Sequence, residues 1–460
     1  MPMAPKAMIQ TRWWMIAVAM VLVLILGALA VVLLQREDGK RSYQAQVAME
    51  QAQGRVATVA DYVAQSPPVD VSLQNAWAAW SSLCANGWVD PAYDRAAWDH
   101  WLVAGGEPPL AFVTTTRQRR AGFQPALVIL RQGGLILSTR GWAAADLPPG
   151  RRSLMDISRV RMPNLLAVRD LATWLGYAAV VADDPGVHLD DLDALVTAMD
   201  RPGSVIDAMI ALAIHAIRSR AYGDLALRDR LTDQRAAAWL SESPIALNLL
   251  ADGIDGERAL FLDASATWVE ESTIFNLDLN PYINLSGQSG WSTRVDIWRT
   301  CLDDCTRIAQ HNLHLTDRLR GRRPDPLPDT SSFQTKLGAY GRLHADWSHS
   351  GAVALNTDCG LRMARLAVRV LQLARQRGLP ADQAALEAIV GTRDFRPPGD
   401  QLHLRYEALG KDRFRITFDP ASPLPNFDDP RFRKRPTGTV ASGPLRWESP
   451  WIIELPITRP

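Results

Sequence analysis

From Trp13 to Leu34 the chain carries no charged residue and is almost wholly apolar. At about 1.5 Å of rise per residue, a helix of that length spans roughly the 30 Å hydrocarbon core of a bilayer. Lipid offers the backbone no hydrogen-bonding partner, so a single spanning segment must be a helix that satisfies its own peptide groups. Trp13 and Trp14 open the run, where amphipathic rings favour the membrane–water boundary. A buried core helix is the alternative, and a charge-free run of this length at the start of the chain argues against it.

A cleaved signal peptide competes more seriously. Lys6 and Arg12 make a basic leader, and Ala28-Leu29-Ala30 fits a small-residue cleavage site. The apolar run continues through Val31-Val32-Leu33-Leu34, which favours an uncleaved span. Both readings send the remainder across the membrane. Flanking charge decides little, because Arg36, Lys40 and Arg41 follow the run as Lys6 and Arg12 precede it. Long downstream domains cross largely regardless of such charge. The expectation is a single-pass protein of the inner (cytoplasmic) membrane, with residues 1–12 cytoplasmic, 13–34 transmembrane and the bulk extracytoplasmic.

A formal net charge of +1 leaves no electrostatic footprint for nucleic acid, so none is expected as a partner. The cysteines are Cys84, Cys301, Cys305 and Cys359. Four cysteines in an exported domain allow three connectivities. Cys301 and Cys305 share one helical face, a poor geometry for pairing with each other. If bridges form, each of them pairs outward, to Cys84 and Cys359.

Residues 40–65 read as a polar stalk helix that ends at Ser66-Pro67-Pro68. Residues 72–150 read as a small α+β region. Its first part is tryptophan-rich, and it then holds short β-type runs at Leu110 to Thr115, Ala126 to Leu130 and Leu135 to Thr139. The last two are joined across Gln132-Gly133-Gly134 as a hairpin, because glycine tolerates tight-turn backbone angles. Residues 160–378 are helical. Leu165, Val168, Leu171, Ala172, Leu175 and Ala179 recur at helical spacing, as do Leu189 to Met199 and Ile206 to Ile217, with glycine–proline breaks between. Short breaks suggest antiparallel stacked helix pairs of the solenoid kind. Ser292 to Arg320 and Val353 to Arg377 are long helices. In residues 379–460 a short helix at Asp382 to Val390 precedes a β-hairpin, in which Leu402, Leu404 and Tyr406 alternate with polar residues, as do Phe414, Ile416 and Phe418. Residues 420–446 read as an exposed loop and Trp451-Ile452-Ile453 as a returning strand. The fold class is therefore mostly α with small antiparallel β elements (α+β).

The apolar span, the helix pairs, Gly256-Glu257-Arg258-Ala259, the helix Arg362 to Arg377, Gly378-Leu379-Pro380 and the Leu386, Ile389, Val390 stripe together resemble a broad set of uncharacterised membrane-anchored bacterial proteins. In these, the last segment is similar to the C-terminal part of type II secretion pseudopilins: a helix, a Gly-x-Pro turn, a short helix and a β-hairpin. The chain departs from that pattern at Asp394-Phe395 and at Phe418-Asp419-Pro420, and no prepilin-peptidase site precedes the apolar run. The resemblance implies no particular activity.

Some residues could carry chemistry. His311 and His314 share a predicted helix with Cys301, Asp303, Asp304 and Cys305, and metals use such ligands. The bland alternative is solvated histidines beside core cysteines. His344, Asp346 and His349 could form an acid–base or metal set in a polar loop, where such residues also occur by chance. Asp419, Asp428 and Asp429 lie near the hairpin. Hard oxygen ligands suit Ca²⁺, which pseudopilins use in this region, though the spacing matches no loop motif. His215 reads as a satisfied core histidine. Glu257 and Arg258 read as a helix-packing ion pair, worth little if exposed. The leading expectation is a membrane-tethered extracytoplasmic interaction or scaffold protein with a protein partner. The rivals are an envelope hydrolase working through His344, Asp346 and His349, and a pseudopilin-like component of a secretion apparatus.

Overall fold

The computed structural model describes residues 5–65, 107–132, 134–141, 164–242, 246–272, 291–321, 348–391, 404–410, 413–418 and 452–456, with single positions such as Trp80, Trp98, Trp101, Leu337 and Phe395 between them. The chain is mostly helical. In order come α1 (Pro5–Ala52), α2 (Val59–Ala64), α3 (Leu110–Arg131), α4 (Leu165–Val181), α5 (Gly186–Met199), α6 (Val205–Leu227), α7 (Asp233–Ser241) and α8 (Ala246–Glu257). A π-turn (Arg258–Leu262) joins α8 to α9 (Asp263–Glu271), and α10 (Trp291–Leu319), α11 (Ser348–Arg377) and α12 (Gln383–Val390) follow. Strands β1 (Leu404–Ala408), β2 (Arg413–Phe418) and β3 (Ile452–Pro456) form an antiparallel sheet in that order. Tyr406 stands opposite Ile416, and Ile416 opposite Ile453. The alternation expected for the hairpin places Leu404, Tyr406, Phe414 and Ile416 in the core.

The main core is organised around α6. Ser204 starts this helix by accepting the Asp207 N–H. Its side chains are buried on several faces, from Val205, Ala208 and Leu212 to Ile214, Ala221 and Leu225, as a central helix requires. Helices α4, α5, α8 and α11 all pack on it. The consecutive helices expected from the sequence are present, and they close radially around α6 rather than as a linear stack. The β1–β2 hairpin lies against α11 and α12.

Two expectations are corrected. Residues 110–131 are the helix α3, not strands, and no hairpin joins them to Leu135–Thr139. The buried positions Thr116, Phe123, Ala126, Leu127 and Leu130 fall at helical spacing, and that periodicity outweighs the β-type residues Phe112 to Thr115. Leu135, Ile136 and Leu137 are buried as expected, but in an irregular connector. There the Leu137 N–H donates to Ala198 O and Thr139 donates to Asp207. Second, residues 40–65 are neither one helix nor a free stalk. Helix α1 ends in a Schellman turn: the N–H groups of Arg55 and Gly54 donate to Glu50 O and Gln51 O, and Gly54 takes a φ of 68° that suits glycine. Thr58 and Asp61 then form a capping box that restarts the chain as α2.

The first half of α1 is long and apolar enough to cross a membrane, and Val18 to Val31 project bare from the domain. Its second half does not project. It supplies Tyr43, with Val47 and, from the end of the apolar run, Val32 in support, to a second core built with Leu262, Val269, Ile297, Trp298, Cys301, Leu302, Cys305 and Ile308.

Candidate functional site

The second half of α1 lies along α10, and both helices run in the same direction. Arg299 donates to Gln35, a Cβ on Gly39 would stand 3.2 Å from Asp303 N, and Gln310 donates to Gln46. Each pairing joins residues 264 apart in sequence, so one register holds for about three turns. Gly39 lets the two backbones approach where any side chain would push Asp303 away.

Near the bare end of α1, Arg36 closes one end of this assembly. Its guanidinium stacks 4.2 Å over the Trp298 ring and donates to Val269 O at 3.0 Å. Trp298 Nε1 donates to Ser272 O. The last carbonyls of α9 have no partner within their own helix, and a cation there also complements the helix dipole.

At the other end sits a buried charge cluster. Arg258 (2% exposed) is paired with Glu50 (1% exposed) and with Asp255 at 3.2 Å, and it donates to Val56 O at 2.9 Å. Burial pushes the Arg258 guanidinium down to about 10, so it stays charged at neutral pH. A charge this deep is tolerable only when paired and hydrogen-bonded. Gln46 donates to Glu50 from one turn back on α1. Arg320, on the chain just past α10, grips Asp255 and Asp252 at 2.7 and 2.6 Å, Arg55 pairs with Asp317, and Asp263 accepts the Val59 N–H. The cluster thus ties α1, α2, the α8–α9 helix and α10 together.

The π-turn explains how one helix serves two cores. Its wider winding shifts the facing of the side chains that follow. Ala259 and Leu260 enter the main core, whereas Leu262 enters the second. Just before it, Glu257 turns the other way from Arg258 and accepts the Val205 N–H at the start of α6. Glu257 and Arg258 are therefore not an ion pair with each other, and neither is a surface group. Burial, aided by the nearby Asp207 charge, pushes the Glu257 carboxyl up to about 7. Asp207 is fully buried, and burial raises it too, although it accepts from Thr139 N, Thr139 Oγ1 and Gly203 N. The 203–204 backbone rests directly on α8. A Cβ on Gly256 would fall 2.5 Å from Gly203 O, and one on Gly253 2.6 Å from Ser204 O.

A shallow cleft of about 210 Å³ lies elsewhere, lined by Asp184, Asp190, Arg230, Thr232 and Arg235. Its two cations are engaged within the protein: Arg235 pairs with Asp190, and Arg230 donates to Val180 O and Ala182 O at the end of α4.

His311 and His314 both lie on α10, as expected, and are half-buried. Among the described residues no group of three or more His, Cys, Asp or Glu could hold a metal ion. His344, Asp346, Asp419, Asp428 and Asp429 lie outside the described residues. His349 falls in the first turn of α11, and its side chain also lies outside them. Cys301 and Cys305 are free thiols buried in the second core, which corrects the outward pairing. The Cys305 thiol faces Leu262 O. His215 is buried and bonded to Asp200 at 3.0 Å, as a satisfied core histidine should be. The Glu50–Arg258 pair was not anticipated. Its trace in the sequence is the spacing of Tyr43, Gln46, Val47 and Glu50, an inward stripe on a helix otherwise polar there.

Compared with protein families, with curated proteins and with solved structures, the chain finds no match.

Proposed function

We propose that this chain is a single-pass membrane protein of the cell envelope whose helical domain serves as an interaction or scaffold module, held at a fixed height and orientation over the bilayer. The observation that carries this reading is the unbroken α1. The helix that would cross the membrane continues into the domain, runs in register with α10 and is locked there by the buried Glu50–Arg258 pair. A tether that merely restricts diffusion needs no such lock. A module that presents a surface to a membrane-associated partner does, because orientation lost in the linker is entropy lost on binding. On this reading the domain lies on the extracytoplasmic side of the inner membrane, because long downstream domains cross largely regardless of flanking charge.

Hydrogen exchange of the full chain in lipid nanodiscs tests the rigid connection. Amides 38–52 are expected to exchange as slowly as those of α10, and exchange at linker rates would refute it. In-cell cross-linking of the full chain then tests the scaffold role. One or a few adducts of constant stoichiometry are expected, and an absence of adducts under several reagents would count against it.

A second reading is favoured by the same helix. One 48-residue helix with its first half bare and its second half packed on a domain is also what a pseudopilin-like subunit would need for packing in an assembly. Cysteines placed at Leu24 would then cross-link copies of the chain in the membrane, whereas the scaffold reading requires no such contact.

A further inference from the structure

The offset between α1 and α10 has a consequence at the membrane surface. The apolar run of α1 ends at Leu34, and Arg36 is the first charge after it. Helix α10 nevertheless begins at Trp291, before the level of Arg36. The 264-residue register that aligns Gln35 with Arg299 sets Trp291 level with Gly27. That is about 10 Å toward the lipid from Leu34, at 1.5 Å per residue. The two helices are still in contact at Val32, inside the apolar run, where it packs against the cluster that contains Ile297 and Trp298.

We propose that the first two turns of α10, Trp291–Trp298, lie in the lipid interface beside the span, giving the domain a second contact with the same leaflet. This rests on the reading of α1 as a membrane span. The composition suits the headgroup layer better than the hydrocarbon. Trp291 opens the segment and is followed by Ser292-Thr293-Arg294-Val295-Asp296, hydroxyls and charges, before Ile297 and Trp298 enter the second core. Amphipathic rings concentrate at that boundary, and a long arginine stem allows a charge to reach water or headgroup from a helix set at the edge of lipid. The occupant of this face is therefore lipid itself, continuous with the lipid around α1. The contact also gives the collar at Arg36 a physical setting: it closes the end of α9 just where the domain meets the bilayer.

Photo-cross-linking tests this with the full chain in nanodiscs of phosphatidylethanolamine and phosphatidylglycerol. p-Benzoylphenylalanine replaces Leu24, Trp291, Ser292 or the exposed Gln310, one at a time, and lipid adducts are read by mass spectrometry. Adducts are expected at position 24 and at 291 or 292, and none at 310. Adducts at 24 with none at either 291 or 292 would overturn the proposal while leaving the span intact. No adduct at 24 would instead overturn the span reading, and this inference with it. Using two adjacent positions keeps the result decisive if one variant folds poorly.

Discussion

Arg258 and Glu50, on helices distant in sequence, form an ion pair in which both side chains are almost wholly removed from solvent. The pair converts the end of α1 from a linker into a part of the domain. Its energetic weight is asymmetric, because a buried partner left alone is penalised far more than the pair itself stabilises.

Glu50→Ala therefore leaves Arg258 charged and short of a partner, since its value of about 10 keeps it protonated at neutral pH. A loss of about 3–5 kcal/mol is expected in denaturant unfolding of the full chain. Replacing both, as Glu50→Leu with Arg258→Met, is expected to recover most of it. A double variant as unstable as Glu50→Ala would mean that the pair is not the lock.

Stability should depend on pH through Glu257. Its folded value of about 7 lies above the ordinary 4.5, so between those pH values the folded chain holds a proton that the unfolded chain has released. The contribution is fully present below about pH 4.5 and is lost as pH rises through about 7. The stability of the wild type relative to Glu257→Gln should thus fall by about 3 kcal/mol between pH 4.5 and 8. His188 acts in the opposite sense. Burial, reinforced by the adjacent Arg120, lowers it to about 4, so its contribution is lost as pH falls through that value. Both chains share His188, and the difference isolates Glu257. A flat difference would show that Glu257 is not held in a dry site.

Backbone contact between α8 and the 203–204 segment predicts a contrast among glycines. Gly256→Ala places a methyl group 2.5 Å from Gly203 O, which cannot rotate away, and is expected to cost at least about 1–3 kcal/mol. Gly122→Ala in α3 meets nothing within 4 Å, and should stabilise by about 0.5–1 kcal/mol. Equal effects on thermal unfolding at the two sites would contradict the close approach.

The thiols of Cys301 and Cys305 should be silent. Both are fully buried, and burial raises Cys301 well above the ordinary thiol range. Maleimide is expected to label neither in the native chain, with or without reductant, and to label both after unfolding without reductant. Labelling that requires reductant after unfolding would contradict the free state of these two thiols.

The helical part of this architecture was legible because apolar residues recur at the helical period over many turns, from Leu165 to Ala179 and from Leu189 to Met199. The β1–β2 hairpin was legible because Leu404, Tyr406, Phe414 and Ile416 alternate with polar neighbours. Helix α3 was misread since Phe112, Val113 and three threonines favour strands locally. Its burial at Phe123, Leu127 and Leu130 becomes visible only once α4 and α5 are there to pack against. The polar stretch after Leu34 looked like a solvated stalk, because its charges find partners only across the fold. Glu50 needs Arg258, Arg55 needs Asp317, and no local pattern announces such pairings.

Helices α1 and α10 should keep their parallel arrangement and single register in the membrane-embedded protein. Disulfide trapping in membranes tests it most directly, in a chain whose native cysteines are replaced by alanine. Cysteines at Gln35 with Arg299, and at Gln46 with Gln310, should form bonds rapidly and efficiently, while Gln35 with Gln310 should not. Slow or indiscriminate bonding among all three pairs would show that the second half of α1 is a flexible tether, and would contradict the account.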